Sequence, residues 1–98
     1  SSAASDVYKR QVGLLDLLAV DEDENYYVIE LKKDSGYKDA YEQTVSYVKW
    51  IQKNMAKKSQ KVYGIICLNQ PTQELVDKVR NDKSMRLFEY HIHYQEIK

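Results

Sequence analysis

The pattern of apolar and polar positions changes period several times along the chain, and each change predicts an element boundary. Residues 13–20, GLLDLLAV, are apolar apart from one Asp, which is typical of a largely buried strand. The charged segment DEDEN at 21–25 has the length of a hairpin turn. YYVIELKK at 26–33 then supplies the aromatic and β-branched residues that strands favour. This part of the chain therefore predicts a β-hairpin.

A helical period begins after the break DSG at 34–36. Between residues 37 and 58 the apolar side chains recur at spacings of three and four, which places them on one helix face. That stripe consists of Tyr41, Val45, Val48, Ile51 and Met55. The pattern predicts an amphipathic helix that packs through this stripe.

The rest of the chain predicts a strand, a helix and a strand. KVYGIICLN at 61–69 reads as a buried strand. In QPTQELVDKVRNDK, at 70–83, Pro71 suits a first helical turn and the apolar residues share one face. MRLFEYHIHYQEI at 85–97 alternates and predicts a closing strand. The predicted order is β-β-α-β-α-β, an α/β fold with a central mixed sheet flanked by helices.

Composition narrows the class of protein. The 98 residues include 31% charged and 43% hydrophobic ones, which fits a folded globular domain rather than a disordered segment. The formal net charge of zero weighs against a non-specific DNA coat protein, although local basic groups remain compatible with an enzyme. The single cysteine excludes an internal disulfide framework and fits the reducing cytoplasm. No apolar run reaches the roughly 20 residues of a membrane span, so no membrane partner is expected.

The first eleven residues, SSAASDVYKRQ, show neither helical nor strand periodicity. One back-translation of this segment is similar to a transposase-type sequencing-library adapter read as coding sequence. We therefore expect residues 1–11 to be a non-native leader and residues 12–98 to form the domain. The strand pattern is already under way at residue 13, so we expect the natural sequence to continue upstream.

Candidate chemistry lies in the predicted hairpin. Side chains alternate along a strand, so Val28, Glu30 and Lys32 share one face. A hairpin around 21–25 would place Asp16 near Glu30. Two neighbouring carboxylates repel unless a cation neutralises them, and Mg²⁺ prefers such oxygen ligands. An ammonium at Lys32 would orient an attacking water or stabilise charge on a phosphate.

Each of these residues also has a purely structural interpretation. Asp16 could cap a turn, and Glu30 with Lys32 could form the solvated edge of an amphipathic strand. Gln43 and Tyr47 lie one turn apart and could form an ordinary helix surface with a packed ring. The functional hypothesis depends on all of them occurring together.

Taken together, these motifs resemble the PD-(D/E)xK nuclease superfamily. In GLLDLLAVDEDENYYVIELKK, Asp16 matches the first acid, Glu30 the second and Lys32 the lysine. QTVSY at 43–47 matches the helical Q-x-x-x-Y motif of several branches. The strand, helix and aromatic strand that follow are most similar to the C-terminal nuclease domain of NucS-like endonucleases. The resemblance covers nearly all of residues 13–97.

The resemblance implies a restriction-endonuclease-like core and hydrolysis of DNA phosphodiesters that depends on Mg²⁺ or Mn²⁺. Asp16, Glu30 and the Leu31 carbonyl would hold the metal, and Lys32 would assist the attacking water. Gln43 is a further catalytic candidate. The helix that usually precedes this core in the family has no counterpart here, which makes activity of this chain an open question.

Contacts to DNA are expected near the same strand end. Lys33 and Lys38 are the candidates for phosphate contacts, Gln43 could bond a ligand or a phosphate, and Tyr47 could line the groove. By analogy, the domain could form a homodimer. The alternatives are a catalytically inactive nuclease-like module for DNA binding or dimerisation, and an α/β domain with no nucleic-acid role.

The two histidines of the predicted last strand are a separate candidate. His91 and His93 would share one face of that strand and could bind a transition metal. No cysteine or acid is placed to complete such a site, so we expect them to be surface or packing residues.

Overall fold

The computed structural model describes residues 17–33 and 39–98. Its elements follow the predicted order: β1 (Leu17–Val20), β2 (Tyr26–Leu31), α1 (Ala40–Asn54), β3 (Val62–Leu68), α2 (Gln73–Arg80) and β4 (Met85–Glu89). The four strands form one sheet in the order β1-β2-β3-β4. β1 is antiparallel to β2, whereas β2, β3 and β4 are mutually parallel. The predicted α/β fold with a mixed sheet is confirmed, and it is consistent with a restriction-endonuclease-like core.

Both helices cover the same face of the sheet. Each helix connects two neighbouring parallel strands, and each new strand is added on the same side of the one before it. Crossovers of this kind are right-handed, so two in succession place both helices on one face of the sheet. Strand register agrees with this arrangement, since Val28 pairs with Gly64 and Gly64 with Met85, and all three are buried. The site residues described below belong to this covered face.

The core lies between the sheet and α1. The helix contributes Val48 and Ile51, two members of the predicted apolar stripe, and β3 contributes alternate buried residues along its whole length. The strictly alternating burial of β3 is the period-2 signature of a strand with one covered face. Leu75 and Val79 of α2, one turn apart, complete the core at the β4 side.

The β1–β2 turn is organised by one aspartate. Oδ1 of Asp21 accepts hydrogen bonds from the backbone N–H groups of Asp23 and Asn25, each at 2.9 Å. The Tyr27 hydroxyl donates to Oδ2 at 2.9 Å. The backbone hydrogen bond from Asn25 is the main reason that the pKa of Asp21 is lowered. These bonds fix the turn length and with it the register of β1 on β2.

Element ends differ from the sequence prediction in two places. α2 begins at Gln73, because the Thr72 side chain accepts a hydrogen bond from the Leu75 N–H at 3.2 Å, so Pro71 lies outside the helix rather than in its first turn. Strand β4 ends at Glu89, so the predicted strand over 85–97 is wrong beyond that residue.

The early end of β4 follows from the length of the strand beside it. Within the described residues β4 pairs with β3 alone, and β3 ends at Leu68, the partner of Glu89. Beyond that pair, the described part of the chain offers the alternating sequence no strand to pair with. His91 and His93 therefore lie outside any strand and are exposed, as expected for surface residues. In the two described ranges, no helix has the length and apolarity needed to cross a membrane.

A hydrogen bond joins α1 to the turn between α2 and β4. The Tyr41 hydroxyl donates to Oδ2 of Asp82 at 2.6 Å, and Oδ1 accepts from the Ser84 hydroxyl at 2.7 Å. Burial opposes ionisation of Asp82, but these hydrogen bonds outweigh it and leave the pKa of Asp82 below its ordinary value. The same bond raises the pKa of Tyr41.

Replacing Tyr41 with Phe should therefore destabilise the fold in a pH-dependent way. At pH 7 we expect the free energy of unfolding to fall by about 1 kcal/mol, the typical value of one hydrogen bond. A carboxyl whose folded pKa is lowered stabilises the fold above its unfolded pKa, and this contribution is lost as the pH falls through the folded value. The difference between the two proteins should thus shrink below about pH 4. Urea unfolding at several pH values measures this difference in the free energy of unfolding, and the exposed Tyr94→Phe is the control. A difference that is the same at every pH would contradict the hydrogen bond to Asp82.

Gly64 marks a close approach between β3, β4 and α1. A Cβ at this position would lie 2.9 Å from Cγ2 of Thr44 and would also collide with the Met85 side chain. Gly64→Ala should therefore lower the free energy of unfolding by about 1–3 kcal/mol through overpacking. Because the Met85 side chain is one obstacle, Gly64→Ala combined with Met85→Ala should cost less than the sum of the two single changes. Strict additivity in urea unfolding would show that the two side chains do not meet.

Candidate catalytic site at the end of strand β2

Glu30 and Lys32 lie where strand β2 ends. Glu30 is the penultimate residue of β2 and pairs with Ile66 of β3 on the face that the helices cover. Lys32 follows the last residue of β2, and its backbone N–H donates to the Cys67 carbonyl at 2.9 Å. Strand alternation therefore places both side chains on the same face, as the sequence predicted.

Three predicted site residues meet at this point. Nζ of Lys32 lies 3.0 Å from Oε2 of Glu30. The same ammonium donates to Oε1 of Gln43 at 3.3 Å. Gln43 belongs to the first turn of α1, so the contact joins the end of a strand to the start of the following helix. The structure thus brings Glu30, Lys32 and Gln43 together, although 11 positions separate Lys32 from Gln43.

The pair is removed from water to an unusual degree. The Glu30 side chain is 2% exposed and the Lys32 side chain 14% exposed. Removing two charges from water costs several kcal/mol per ion, and their attraction offsets this only when geometry and further hydrogen bonds are good. A well-packed apolar pair would serve stability at least as well. Charges held in this way are therefore a candidate functional site.

The side chain of Leu31 and its backbone carbonyl point in different directions from the Glu30 side chain. Its side chain is exposed on the face opposite Glu30. The backbone N–H of Tyr26 donates to Lys61, just before β3, and that of Lys32 donates to Cys67 of β3. Backbone groups of successive strand residues alternate in direction. The carbonyl of Leu31 is therefore directed toward the β1 side of the sheet. The next residue, Lys33, is exposed.

Of the remaining predicted residues, two lie outside the described structure and one lies in the core. Asp16 and Lys38 lie outside the described residues, and the first described pair of the hairpin is Leu17 with Ile29. Tyr47 lies one turn along α1 from Gln43, but it is 2% exposed and belongs to the core. At that depth, contact with DNA would require a local opening. A DNA contact by Tyr47 stays a prediction.

A divalent metal was also predicted here. Within residues 17–33 and 39–98, no group of three or more His, Cys, Asp and Glu side chains could hold a metal ion. A site at Glu30 would therefore draw on donors of other kinds or on Asp16. A carboxylate and a backbone carbonyl are hard oxygen donors, which fit Mg²⁺ and Mn²⁺ rather than softer metals.

One residue at this site was not predicted from the sequence. The hydroxyl of Tyr90 donates to the Lys32 carbonyl at 2.8 Å, across 58 positions of sequence. In the sequence, Tyr90 is one of several aromatic residues in the alternating segment 85–97, and nothing in that pattern distinguishes it. The contact depends on the β3–β4 register, for which the local pattern carries no signal.

Removing the ammonium should destabilise the domain more than removing an exposed neighbour does. Lys32→Met leaves the carboxylate of Glu30 buried without this cation, and we expect the free energy of unfolding at pH 7 to fall by about 2–3 kcal/mol. Lys33→Met is the matched control, because Lys33 is exposed, and it should change the value by less than about 0.5 kcal/mol. Urea unfolding followed by circular dichroism gives both values. Equal small effects would show that the 3.0 Å contact contributes little.

Comparison with known proteins bears on the family of this chain. Neither the curated proteins nor the solved structures give a significant match. The family model described as the endonuclease NucS C-terminal domain matches residues 3–95, nearly the whole chain and including most of the predicted leader. Membership in an endonuclease family supports a nuclease-related, DNA-binding role. The chain belongs to the endonuclease NucS C-terminal domain family.

Proposed function

We propose that this domain hydrolyses phosphodiester bonds in DNA as a metal-dependent endonuclease. The observation that carries the proposal is the buried contact of Lys32 with Glu30 and Gln43, at 3.0 and 3.3 Å, in a chain of an endonuclease family. An ion pair removed from water at the rim of a core suits chemistry better than stability. The PD-(D/E)xK resemblance assigns these same positions to the reaction.

Lys32 is the proposed helper of the attacking water. Two oxygen atoms from different elements fix its ammonium, which limits the orientations that the long side chain can adopt. A cation held in this way costs no reorganisation when negative charge develops on the phosphate. Gln43 orients the ammonium from the first turn of α1, and Glu30 holds it through the 3.0 Å contact.

Asp16, Glu30 and the Leu31 carbonyl are the proposed holders of Mg²⁺ or Mn²⁺. When bound, such a metal polarises the phosphate and makes a water more nucleophilic. Glu30 is suited to this role because the covered face fixes its carboxylate in place. The Leu31 carbonyl is held in place because the residues before and after it are both bound to β3. Glu30 pairs with Ile66, and the Lys32 N–H donates to the Cys67 carbonyl.

DNA is the proposed partner, with its backbone placed by local positive charge. Lys33 is exposed next to the site and is the first candidate for a phosphate contact, together with Lys38. Gln43 and Tyr47 are the proposed contacts from α1. We further propose a cytoplasmic enzyme that forms a homodimer.

DNA cleavage tests this function directly. Linear, nicked, branched and mismatched DNA would be incubated with the chain in Mg²⁺, in Mn²⁺ and in chelator. We expect cleavage in either metal and none in chelator, with Lys32→Ala and Glu30→Gln slower by at least about 10²–10³-fold, the usual cost of losing a group that stabilises transition-state charge. Lys83→Ala is the control, because Lys83 is an exposed lysine in the turn before β4, and it should cut at the normal rate.

Two further measurements show whether a loss of cleavage is due to lost chemistry or to lost folding. Circular dichroism confirms that each variant is folded at the assay temperature, and Mn²⁺ binding should persist in Lys32→Ala but weaken in Glu30→Gln. A folded chain that binds DNA yet cuts none of these substrates would contradict the proposal. It would instead favour a catalytically inactive nuclease-like module for DNA binding or dimerisation.

A further inference from the structure

We propose that Tyr90 is a positioning residue for Lys32. The proposal rests on the proposed function and adds a residue outside the motifs that led to it. Tyr90 would not touch the DNA or the metal. It would act by holding the backbone of Lys32, and so the ammonium, in the orientation that the reaction needs.

The contacts of Tyr90 converge on the end of β2. Its hydroxyl donates to the Lys32 carbonyl at 2.8 Å and lies 3.5 Å from the Lys33 carbonyl. Its backbone N–H donates to the Leu68 carbonyl at 2.9 Å. The backbone of Tyr90 therefore continues the β3–β4 ladder, while its side chain reaches across β3 to β2.

Lys32 needs such a partner because it lies past the end of its strand. Leu31 with Cys67 is the last described pair of β2 and β3. The Lys32 N–H still reaches the Cys67 carbonyl, but its own carbonyl lies beyond the final pair. The Tyr90 hydroxyl supplies the donor there. Both backbone polar groups of Lys32 are thus held, one by β3 and one by Tyr90.

The consequence for chemistry follows from the length of the lysine side chain. Nζ lies at the end of a four-carbon stem, so a small rotation of the Lys32 backbone moves the ammonium by a larger distance. A displacement of about 1 Å at a reacting group can cost up to 10²-fold in rate. The Tyr90 bond, together with the side-chain contacts to Glu30 and Gln43, limits this displacement.

Replacing Tyr90 with Phe keeps the ring and removes only the donor. Tyr94→Phe makes the same chemical change four positions along the chain at a residue that is 86% exposed, so it is the matched control. The first measurement needs no DNA: the NMR signals of the Lys32 ammonium and backbone amide in both variants. We expect both signals to shift and broaden in Tyr90→Phe and to stay unchanged in Tyr94→Phe.

The second measurement separates positioning from binding. In cleavage assays with Mg²⁺, Tyr90→Phe should lower kcat about tenfold and leave KM for DNA within about twofold, because the lost bond affects the reacting ammonium and not the phosphate contacts. Tyr94→Phe should match the unchanged chain in both constants. A purely structural role would instead lower the amount of active protein without changing the Lys32 signals of the folded fraction.

The outcomes distinguish this proposal from the proposed function. If the unchanged chain cuts no DNA, the proposed function fails, whatever the NMR signals show. If it cuts DNA but Tyr90→Phe leaves the Lys32 signals or kcat unchanged, the positioning role is wrong and the function stands. Unfolding of Tyr90→Phe would also overturn the proposal, since the bond would then hold the fold as a whole. Shifted Lys32 signals with a lower kcat and unchanged KM would support it.

Discussion

The burial of a carboxylate at the end of β2 is the constraint around which this part of the molecule is arranged. A charge that is almost completely removed from water is tolerated only with a cation and well-placed hydrogen bonds. Glu30 obtains its cation from Lys32, two residues further along the chain and just past the end of β2. Lys32 in turn reaches Gln43 of α1, so satisfying one buried acid joins the strand to the helix that follows it.

Strand alternation made this part of the site predictable from sequence. The period of two places Val28, Glu30 and Lys32 on one face whatever the rest of the fold does, and the structure confirms that the first two are buried and the third nearly so. The spacing of four between Gln43 and Tyr47 likewise predicts a shared direction on α1. It does not predict depth, which depends on how closely the helix approaches the sheet, and Tyr47 is therefore in the core while Gln43 reaches the site.

Features that depend on distant partners could not be predicted in the same way. The sequence alternates as far as Ile97, yet β4 ends at Glu89, because a strand extends only as far as its neighbour and β3 stops at Leu68. The same two strand ends decide where the Tyr90 hydroxyl lies, since Tyr90 is the first residue after β4. Local patterns determine which face a residue occupies, whereas strand register determines which residue it meets.

The position of the site also follows from the direction of the strands. β2, β3 and β4 are parallel, so their carboxyl ends lie at one edge of the sheet, and α1 starts from that edge. Lys32, Leu68 and Tyr90 are therefore neighbours although they lie at the ends of three different strands. Loops and helix starts gather at such an edge, while the strands behind it are rigid. The hydrophobic core of a short domain can in this way hold a charged cluster in place. The side chains that would carry out the chemistry are then restricted to few conformations.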